Sequence, residues 1–225
     1  VIIVVPDAVE PESTMIEVAE KSILWLRFMT EGKQCHASTP DAGINAFRAG
    51  SELVVQLDKL HEYFAERDEV FNPPISTFQP TKKEANVGNV NTIPGQDVFY
   101  LDCRILPTIA LDKVMETCRD LAAAVEKKHG VSVKIEVVQQ ATAAPATSAD
   151  APVVNMLKRG IKSVYNVDAT AQGIGGGTVA AVFRAAGLNA AVWSTLEDMC
   201  HQPNEYCVIS NMVNDTKVLA HLCLE

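Results

Sequence analysis

The chain has 225 residues, 48% of them hydrophobic and 21% charged, a composition typical of one large globular domain or two small ones. With 19 basic and 28 acidic residues it carries a formal net charge of −9 and no Lys/Arg cluster, so a nucleic-acid or anionic-lipid partner is excluded. No apolar run approaches the roughly 20 residues of a membrane span. Six scattered cysteines without CxxC spacing are typical of a reduced, cytoplasmic protein.

The first predicted element is a strand. The run "VIIVV" is apolar and β-branched and ends at Pro6, a pattern typical of a strand buried on both faces of a parallel sheet. Neither an initiator Met nor a signal-peptide pattern precedes it. We therefore expect Val1 to lie within a longer protein.

The stretch 22–139 predicts a small domain. Strand patterns in "KSILWLRFMTEGK", "VFYLDCRIL" and "VSVKIEVV" alternate with helical patterns in "NAFRAGSELVVQLDKLHEYFAE" and "ALDKVMETCRDLAAAVEKKHG". With one or two strands between the helices, the order is βαββαβ. This order favours a ferredoxin-like α+β sandwich, in which two helices cover one face of an antiparallel sheet.

The remainder predicts an α/β domain. A connector, "QQATAAPATSADAP", leads to a helix in "VVNMLKRGIKSVYN", a glycine-rich turn into a helix in "GIGGGTVAAVFRAAG", and a buried strand in "LNAAVWST". A closing helix starts near Ser210. The natural partner of this part is the first strand, so we predict one α/β domain from residues 1–21 and 140–225, with 22–139 inserted into it.

Asp7 and His201 each follow an apolar strand, and metal sites are often built at the carboxyl ends of strands in an open α/β sheet. Residue chemistry alone leaves two interpretations open. The pair could share a metal site, or Asp7 could cap the turn after Pro6 while His201 is a surface histidine. Cys200 and Cys207 flank His201 and could be ligands or small buried hydrophobes.

Other polar residues are ambiguous in the same way. His36 lies in the loop "GKQCHASTP", from which its imidazole can reach outward. Asn91 in "NVNTIPG" could bond the local backbone or a ligand. Alternation places Arg104 on the same strand face as Asp102, so it could bind a carboxylate or form a structural pair. The glycines of "GIGGGTVAA" could present backbone N–H groups to an anion, but the Walker Lys and GxGxxG spacing are missing, which excludes a nucleotide site.

Five segments in order resemble one known family. They are "G…CHASTP…G.NA", "NTIPG", "DCR", "GGGT" and "H.PNE", and together they extend along nearly the whole chain. The chain resembles the two-metal amidohydrolases and exopeptidases, which include aminoacylase, acetylornithine deacetylase, succinyl-diaminopimelate desuccinylase and carboxypeptidase G. The resemblance implies a zinc-exopeptidase-like α/β catalytic domain with two divalent metal ions, Zn or alternatively Co or Mn, and an inserted lid domain that forms a homodimer.

The resemblance also implies roles for individual residues. Asp7 matches an acidic ligand of one metal, and His201 matches a histidine ligand of the other, supported by Glu205. His36 matches a lid histidine that reaches into the partner subunit's active site and stabilises the oxyanion. The positions that match substrate-binding residues are Asn91, Arg104, Gly176, Gly177 and Thr178.

The implied reaction is hydrolysis of an amide in an N-acyl amino acid or small peptide, by a metal-bound water whose proton a glutamate relays. The family's H-x-D segment, bridging aspartate and Glu-Glu pair would lie upstream of Val1 and are not among the 225 residues. We therefore expect the chain by itself to be inactive and to bind metal weakly. The alternatives are a non-catalytic dimerisation or binding module that kept the lid, and a metal-free small-molecule-binding α/β protein.

Overall fold

The structure is a computed structural model that describes residues 1–7, 10–199 and 202–224, and the chain divides into two compact units. Unit 1 comprises Val1–Lys21, Glu69–Pro74 and Ala143–Glu225, and unit 2 comprises Ser22–Asp68 and Ile75–Thr142. The short segment 69–74 lies inside the predicted inserted domain but belongs to unit 1. It does so because the Gly173 N–H donates to the Val70 carbonyl at 2.7 Å and Phe71 pairs with Gly173.

The secondary structure is mixed α/β. The strands are β1 (Ile3–Val5), β2 (Met15–Glu20), β3 (Ser22–Glu31), β4 (Cys35–His36), β5 (Thr77–Lys83), β6 (Thr92–Ile93), β7 (Gln96–Ile105), β8 (Ser132–Ala141), β9 (Thr170–Ile174) and β10 (Ala190–Val192). The helices are α1 (Ala46–Leu57), α2 (Leu60–Tyr63), α3 (Leu111–His129), α4 (Pro152–Tyr165), α5 (Ala180–Ala185) and α6 (Ile209–Leu224).

Unit 2 contains an antiparallel sheet of order β5-β7-β3-β8, with α1 and α3 packed on one face. The alternation of β3 explains this arrangement. Leu24, Leu26 and Phe28 are fully buried under the helices, whereas Trp25 and Arg27 on the opposite face are only half-buried. We call the face that carries Trp25 and Arg27 the open face of the sheet.

Local sequence signals determine several helix ends. The side chain of Asn45 accepts a hydrogen bond from the Arg48 N–H at 3.0 Å and caps the start of α1. At the other end of two helices the chain adopts the left-handed conformation, with φ of 69° at Gly130 after α3 and 58° at Asn166 after α4. These are the residues at which the sequence predicts the two helices to stop.

Unit 1 contains a four-stranded sheet of order β1-β10-β2-β9, in which only the β10–β2 pair is antiparallel. The first strand pairs with β10 as expected, but the prediction that it is buried on both faces was wrong. Its residues are half-buried, because within the described part of the chain β1 lies at the sheet edge. The sequence analysis missed β2 and β9.

Two further properties of the described residues follow from the structure. None of the helices in the described ranges is both long and apolar enough to cross a membrane. The five cysteines that the structure describes are free thiols, at positions 35, 103, 118, 207 and 223.

Candidate functional site

At the carboxyl ends of β1 and β10, the unit 1 sheet brings together two segments that the sequence analysis singled out. Strands β1 and β10 run parallel with Val5 opposite Val192, so the chain leaves both strands at the same end of the sheet. There the Ser194 hydroxyl donates a short hydrogen bond to the Asp7 carbonyl oxygen. The loop that starts at Ser194 leads to His201, which lies outside the described residues. The predicted convergence of Asp7 and His201 therefore stays a prediction.

Glu10 is the carboxylate next to Asp7 along the described chain, and local hydrogen bonds occupy it. Its carboxylate accepts from the Glu12 N–H at 3.0 Å, the Thr14 hydroxyl at 2.7 Å and the Met15 N–H at 2.7 Å. Partial burial alone would raise the pKa of Glu10, but these hydrogen bonds lower it below its ordinary value. Glu10 is therefore a cap of the turn into β2.

The described residues do not complete a metal centre. In ranges 1–7, 10–199 and 202–224, no three His, Cys, Asp or Glu side chains come together in a geometry that could hold an ion. A zinc site takes three or four protein ligands. Asp7 and His201 would supply at most part of such a set, so the residues present do not fit a two-metal centre by themselves.

A partly buried hydrogen-bonded network anchors the start of the loop that leads to His201. Asp215 on α6 accepts from the Thr195 N–H at 2.9 Å and from the Tyr165 hydroxyl at 2.5 Å. The Thr195 and Ser13 hydroxyls lie 2.6 Å apart. Burial and the nearby Asp215 carboxylate raise the pKa of Tyr165 to about 12, so at neutral pH the phenol keeps the proton that it donates.

His36 lies in the short ladder between β4 and β6, where it pairs with Thr92. Its ring nitrogen Nδ1 accepts the Ser38 backbone N–H at 3.2 Å and lies 2.7 Å from the Ser38 hydroxyl. Because a backbone N–H can only donate, Nδ1 is unprotonated in this geometry and a neutral imidazole carries its hydrogen on Nε2. The side chain is exposed, so His36 offers an N–H donor to a ligand.

Asn91 bonds locally and supports the His36 loop. Its backbone carbonyl accepts from the Ala37 N–H at 2.8 Å, and its side-chain oxygen accepts from the Thr92 hydroxyl at 3.4 Å. The structure thus brings Asn91 and His36 together within unit 2. The amide oxygen thus bonds a neighbouring side chain and not the local backbone, and its role in ligand binding stays a prediction.

Arg104 forms the structural pair that strand alternation allowed. Its Nε and Nη2 lie 2.6 Å and 2.9 Å from the two carboxylate oxygens of Asp102, a bidentate arrangement. Both side chains are about one-quarter exposed on the open face. Close by, a cavity of about 390 Å³ has Trp25, Lys82, Tyr100 and Asp102 among its lining residues.

The "GGGT" segment has partners that the sequence analysis did not find. Both the N–H and the hydroxyl of Thr178 donate to Glu20 Oε1, at 2.8 Å and 2.6 Å. The Thr178 hydroxyl also accepts from the Ala180 N–H at 3.3 Å. Gly176 is half-buried and Gly177 is exposed.

Behind Glu20 lies a buried ion pair. Arg184 Nη1 is 2.8 Å from Glu17 Oε1 and 3.6 Å from Glu20 Oε1. Burial raises the pKa of Glu17 to about 7, and the charge of Arg184 offsets only part of that effect. The one signal that could have revealed these residues is the presence of two glutamates in the otherwise mainly apolar stretch "MIEVAE".

The sequence and the fold match one known family. The sequence profile of the peptidase dimerisation domain of the M20 family matches residues 18–130, half of the chain. The chain belongs to the M20 family of metallopeptidases and amidohydrolases, which confirms the resemblance drawn from its motifs.

Curated relatives and solved structures agree with this family. The chain is 40% identical over 229 residues to an uncharacterized metallohydrolase of Methanocaldococcus jannaschii, covering 96% of the chain and 55% of the relative. It is 22% identical over 213 residues to succinyl-diaminopimelate desuccinylase of Acinetobacter baylyi, covering 90% and 52%. The chain thus spans about half the length of the curated relatives it matches. The aminopeptidase PepT of Bacillus cereus shares its fold, with a TM-score of 0.77 at 16% identity over 97% of this chain and 55% of PepT.

Proposed function

We propose that the intact protein is a metal-dependent amidohydrolase that cleaves an amide bond of an N-acyl amino acid or a small peptide. The observation that carries the proposal is the placement of Asp7 and the start of the His201 loop at the carboxyl ends of two adjacent parallel strands. A hydrogen bond from Ser194 to the Asp7 carbonyl oxygen joins the two segments there. Family membership supports it, as do relatives named metallohydrolase and desuccinylase. Zn is the proposed metal, with Co and Mn as alternatives.

In this proposal Asp7 and His201 contribute one ligand each to two divalent metal ions. The described residues form no complete centre, so further ligands and the catalytic base would come from residues outside this chain, and the 225 residues alone would not hydrolyse substrate. His36 would donate its Nε2 hydrogen to the substrate carbonyl oxygen as negative charge develops there. Asn91, Arg104 and the segment 176–178 would bind the rest of the substrate.

Unit 2 is proposed to act as a lid and to form a homodimer. The match to a peptidase dimerisation domain supports this role. So does the exposed His36, whose Nδ1 is held by Ser38. Light scattering coupled to size exclusion should give twice the subunit mass at micromolar concentration. A monomer would contradict an in-trans role of His36. The free thiols support a reducing compartment, which we propose is the cytoplasm.

The test is hydrolysis by the full-length protein of N-acetyl-L-methionine, an N-succinyl amino acid and triglycine. The expected result is hydrolysis of at least one of these that chelation abolishes and Zn, Co or Mn restores. His201→Ala should lower kcat/KM at least about a thousandfold, because a metal ligand is lost. His221→Ala is the matched control, since His221 is an exposed histidine on α6 whose ring lies 3.3 Å from the Ser163 hydroxyl. Activity that survives chelation and His201→Ala would refute the proposal.

The second candidate is a non-catalytic dimerisation or binding module. The specific observation in its favour is that the matched profile is that of the dimerisation domain, while the described residues form no metal centre. A full-length protein that is dimeric but hydrolyses none of the three substrate classes with any of the three metals would favour this candidate.

A further inference from the structure

Three charged side chains form a buried network in unit 1, which we call the β2–α5 clamp: Glu17 and Glu20 on β2, and Arg184 on α5. They are only 0%, 5% and 3% exposed, respectively. One guanidinium thus faces two carboxylates inside the protein. Such burial is costly, and apolar side chains of similar volume would commonly be as stable there. The clamp therefore calls for an explanation other than stability.

The geometry of β2 makes the clamp possible. Residues three apart in a regular strand point to opposite faces of the sheet. In the pairing of β2 with β9, however, the register shifts between Glu17 and Ala19, so Val18 is an extra residue. Because of this bulge, Glu17 and Glu20 lie on the same face of the sheet, and both carboxylates reach Arg184 Nη1.

Arg184 uses its whole guanidinium to fix the end of α5 to the sheet. Its Nε donates to the Ala190 carbonyl at 3.1 Å, Nη2 donates to the Glu17 carbonyl at 3.2 Å, and Nη1 pairs with the Glu17 carboxylate. These partners lie on β10 and β2. The end of α5 is therefore fixed against two neighbouring strands.

Glu20 fixes the start of α5 through Thr178. A single oxygen, Oε1, accepts both the backbone N–H and the hydroxyl of Thr178, and the hydroxyl in turn accepts from the Ala180 N–H. The carboxylate thus determines both the backbone position and the rotamer of Thr178. The three glycines that precede Thr178 restrict the backbone little on their own, so their ordering depends on this contact.

We propose that Glu20, held by Arg184, is a positioning residue that fixes the segment 175–178 in the arrangement it needs to contact the substrate. The consequence for binding rests on the function proposed above; the ordering of the segment does not. Glu20 itself acts through Thr178 and is not a catalytic residue. The Thr178 hydroxyl donates to Glu20 and accepts from the Ala180 N–H, so this side chain orders the loop. In the proposal, the backbone of Gly176 and Gly177 is the part of the loop that contacts the ligand.

The test measures amide hydrogen exchange across residues 174–180 in the full-length protein, together with KM and kcat for the best substrate among N-acetyl-L-methionine, an N-succinyl amino acid and triglycine. Glu20→Gln and Thr178→Val should each speed exchange in that segment about tenfold while exchange in α4 stays unchanged. KM should rise about tenfold, with kcat lowered less, because the loop must be ordered upon binding. Thr178→Ser keeps the hydroxyl that donates to Glu20, so hydrogen exchange across residues 174–180 should stay at the wild-type rate.

Two comparisons make the test decisive. The double variant should be no worse than either single variant, since both changes break one linkage; additive effects would overturn the proposal. Val218→Ala is the stability control, because Val218 is fully buried on α6, a helix that packs on α4. It should destabilise unit 1 without speeding exchange locally at 174–180.

Failure of the proposed function gives a different result. Faster exchange in the two single variants of a protein that hydrolyses none of the three substrates would support the positioning role and count against the amidohydrolase. Hydrolysis with unchanged exchange and unchanged KM in those variants would overturn the positioning role alone.

Discussion

One ion pair from each unit makes an instructive comparison, because the first is buried and the second is partly exposed. In unit 1, Glu17 and Arg184 are buried and their bonds fix segments at the strand ends. In unit 2, Asp102 and Arg104 pair on the open face, where each keeps about one-quarter of its side chain exposed. The comparison of these two pairs teaches that a buried pair can fix a loop segment at a strand end, as in unit 1. The pair on the open face of unit 2 lies on a sheet whose fold the apolar alternation of β3 determines.

The difference can be measured because each unit contains one of the two tryptophans: Trp193 is buried in unit 1 and Trp25 is half-buried in unit 2. Variants with Trp25→Phe or Trp193→Phe would report the unfolding of one unit at a time by fluorescence. The predictions below use this separation, from the largest effect to the smallest.

Removal of the buried cation should have the largest effect. Arg184→Met leaves two carboxylates buried without a counter-charge, so the free energy of unfolding of unit 1 should fall by about 4 kcal/mol. Denaturant unfolding followed by Trp193 measures it. Adding Glu17→Gln and Glu20→Gln to Arg184→Met should recover part of the loss. If the triple variant is less stable than Arg184→Met alone, buried charge is not the reason for the loss.

The second prediction concerns the pH dependence of unit 1. Burial raises the pKa of Glu17 from an ordinary value of 4.5 to about 7, so the folded state binds this proton more tightly than the unfolded state. The corresponding stabilisation is complete below about pH 4.5 and is lost as the pH rises through about 7. Relative to Glu17→Gln, unit 1 of the wild type should lose up to about 3 kcal/mol between about pH 5 and pH 8. Parallel stability profiles of the two proteins would contradict this assignment.

The third prediction concerns the stability contributed by the hydrogen bonds of Asp215 to Tyr165 and Thr195 in unit 1. Tyr165→Phe removes the hydroxyl that donates to Asp215 at 2.5 Å and leaves that carboxylate with one fewer donor. Unit 1 should lose about 1.5 kcal/mol, and exchange at the Thr195 amide should rise, because Asp215 also holds Thr195. Thermal unfolding and exchange at Thr195 measure both. Ser163→Ala, on the same helix, should change neither.

The smallest effect is expected in unit 2. Arg104→Met breaks a pair that is about one-quarter exposed and whose charges water can reach, so the free energy of unfolding followed by Trp25 should change by less than about 1 kcal/mol. If Arg104 contacts substrate as proposed, KM should nevertheless rise. A stability loss as large as that of Arg184→Met would remove the contrast between the units.

The sequence predicts much of unit 2 because its signals are local. The alternation in β3 and the glycine after α3 determine elements whose ends agree with the structure to within a few residues. Unit 1 was harder. The glutamates in β2 argue against a buried strand, and their compensating partner, Arg184, lies 167 positions from Glu17 along the chain. A single sequence contains no sign of such a pairing.

The site shows the same limit. His36 and Asp7 stand out because their motifs and positions after strands carry recognisable chemistry. By contrast, neither the bond of Thr178 to Glu20 nor that of Ser38 to His36 could be derived, because each depends on backbone positions that only the folded chain has.

The bulge at Val18 also has an evolutionary consequence. It brings positions 17, 20 and 184 together, so that loss of the arginine leaves two carboxylates inside unit 1 without a counter-charge. Loss of the arginine in a descendant of this chain should therefore be accompanied by neutral residues at the two acidic positions, or by loss of the extra residue that makes them neighbours. Substitutions at positions 17, 20 and 184 should therefore be correlated, although their spacing along the chain does not suggest that they interact.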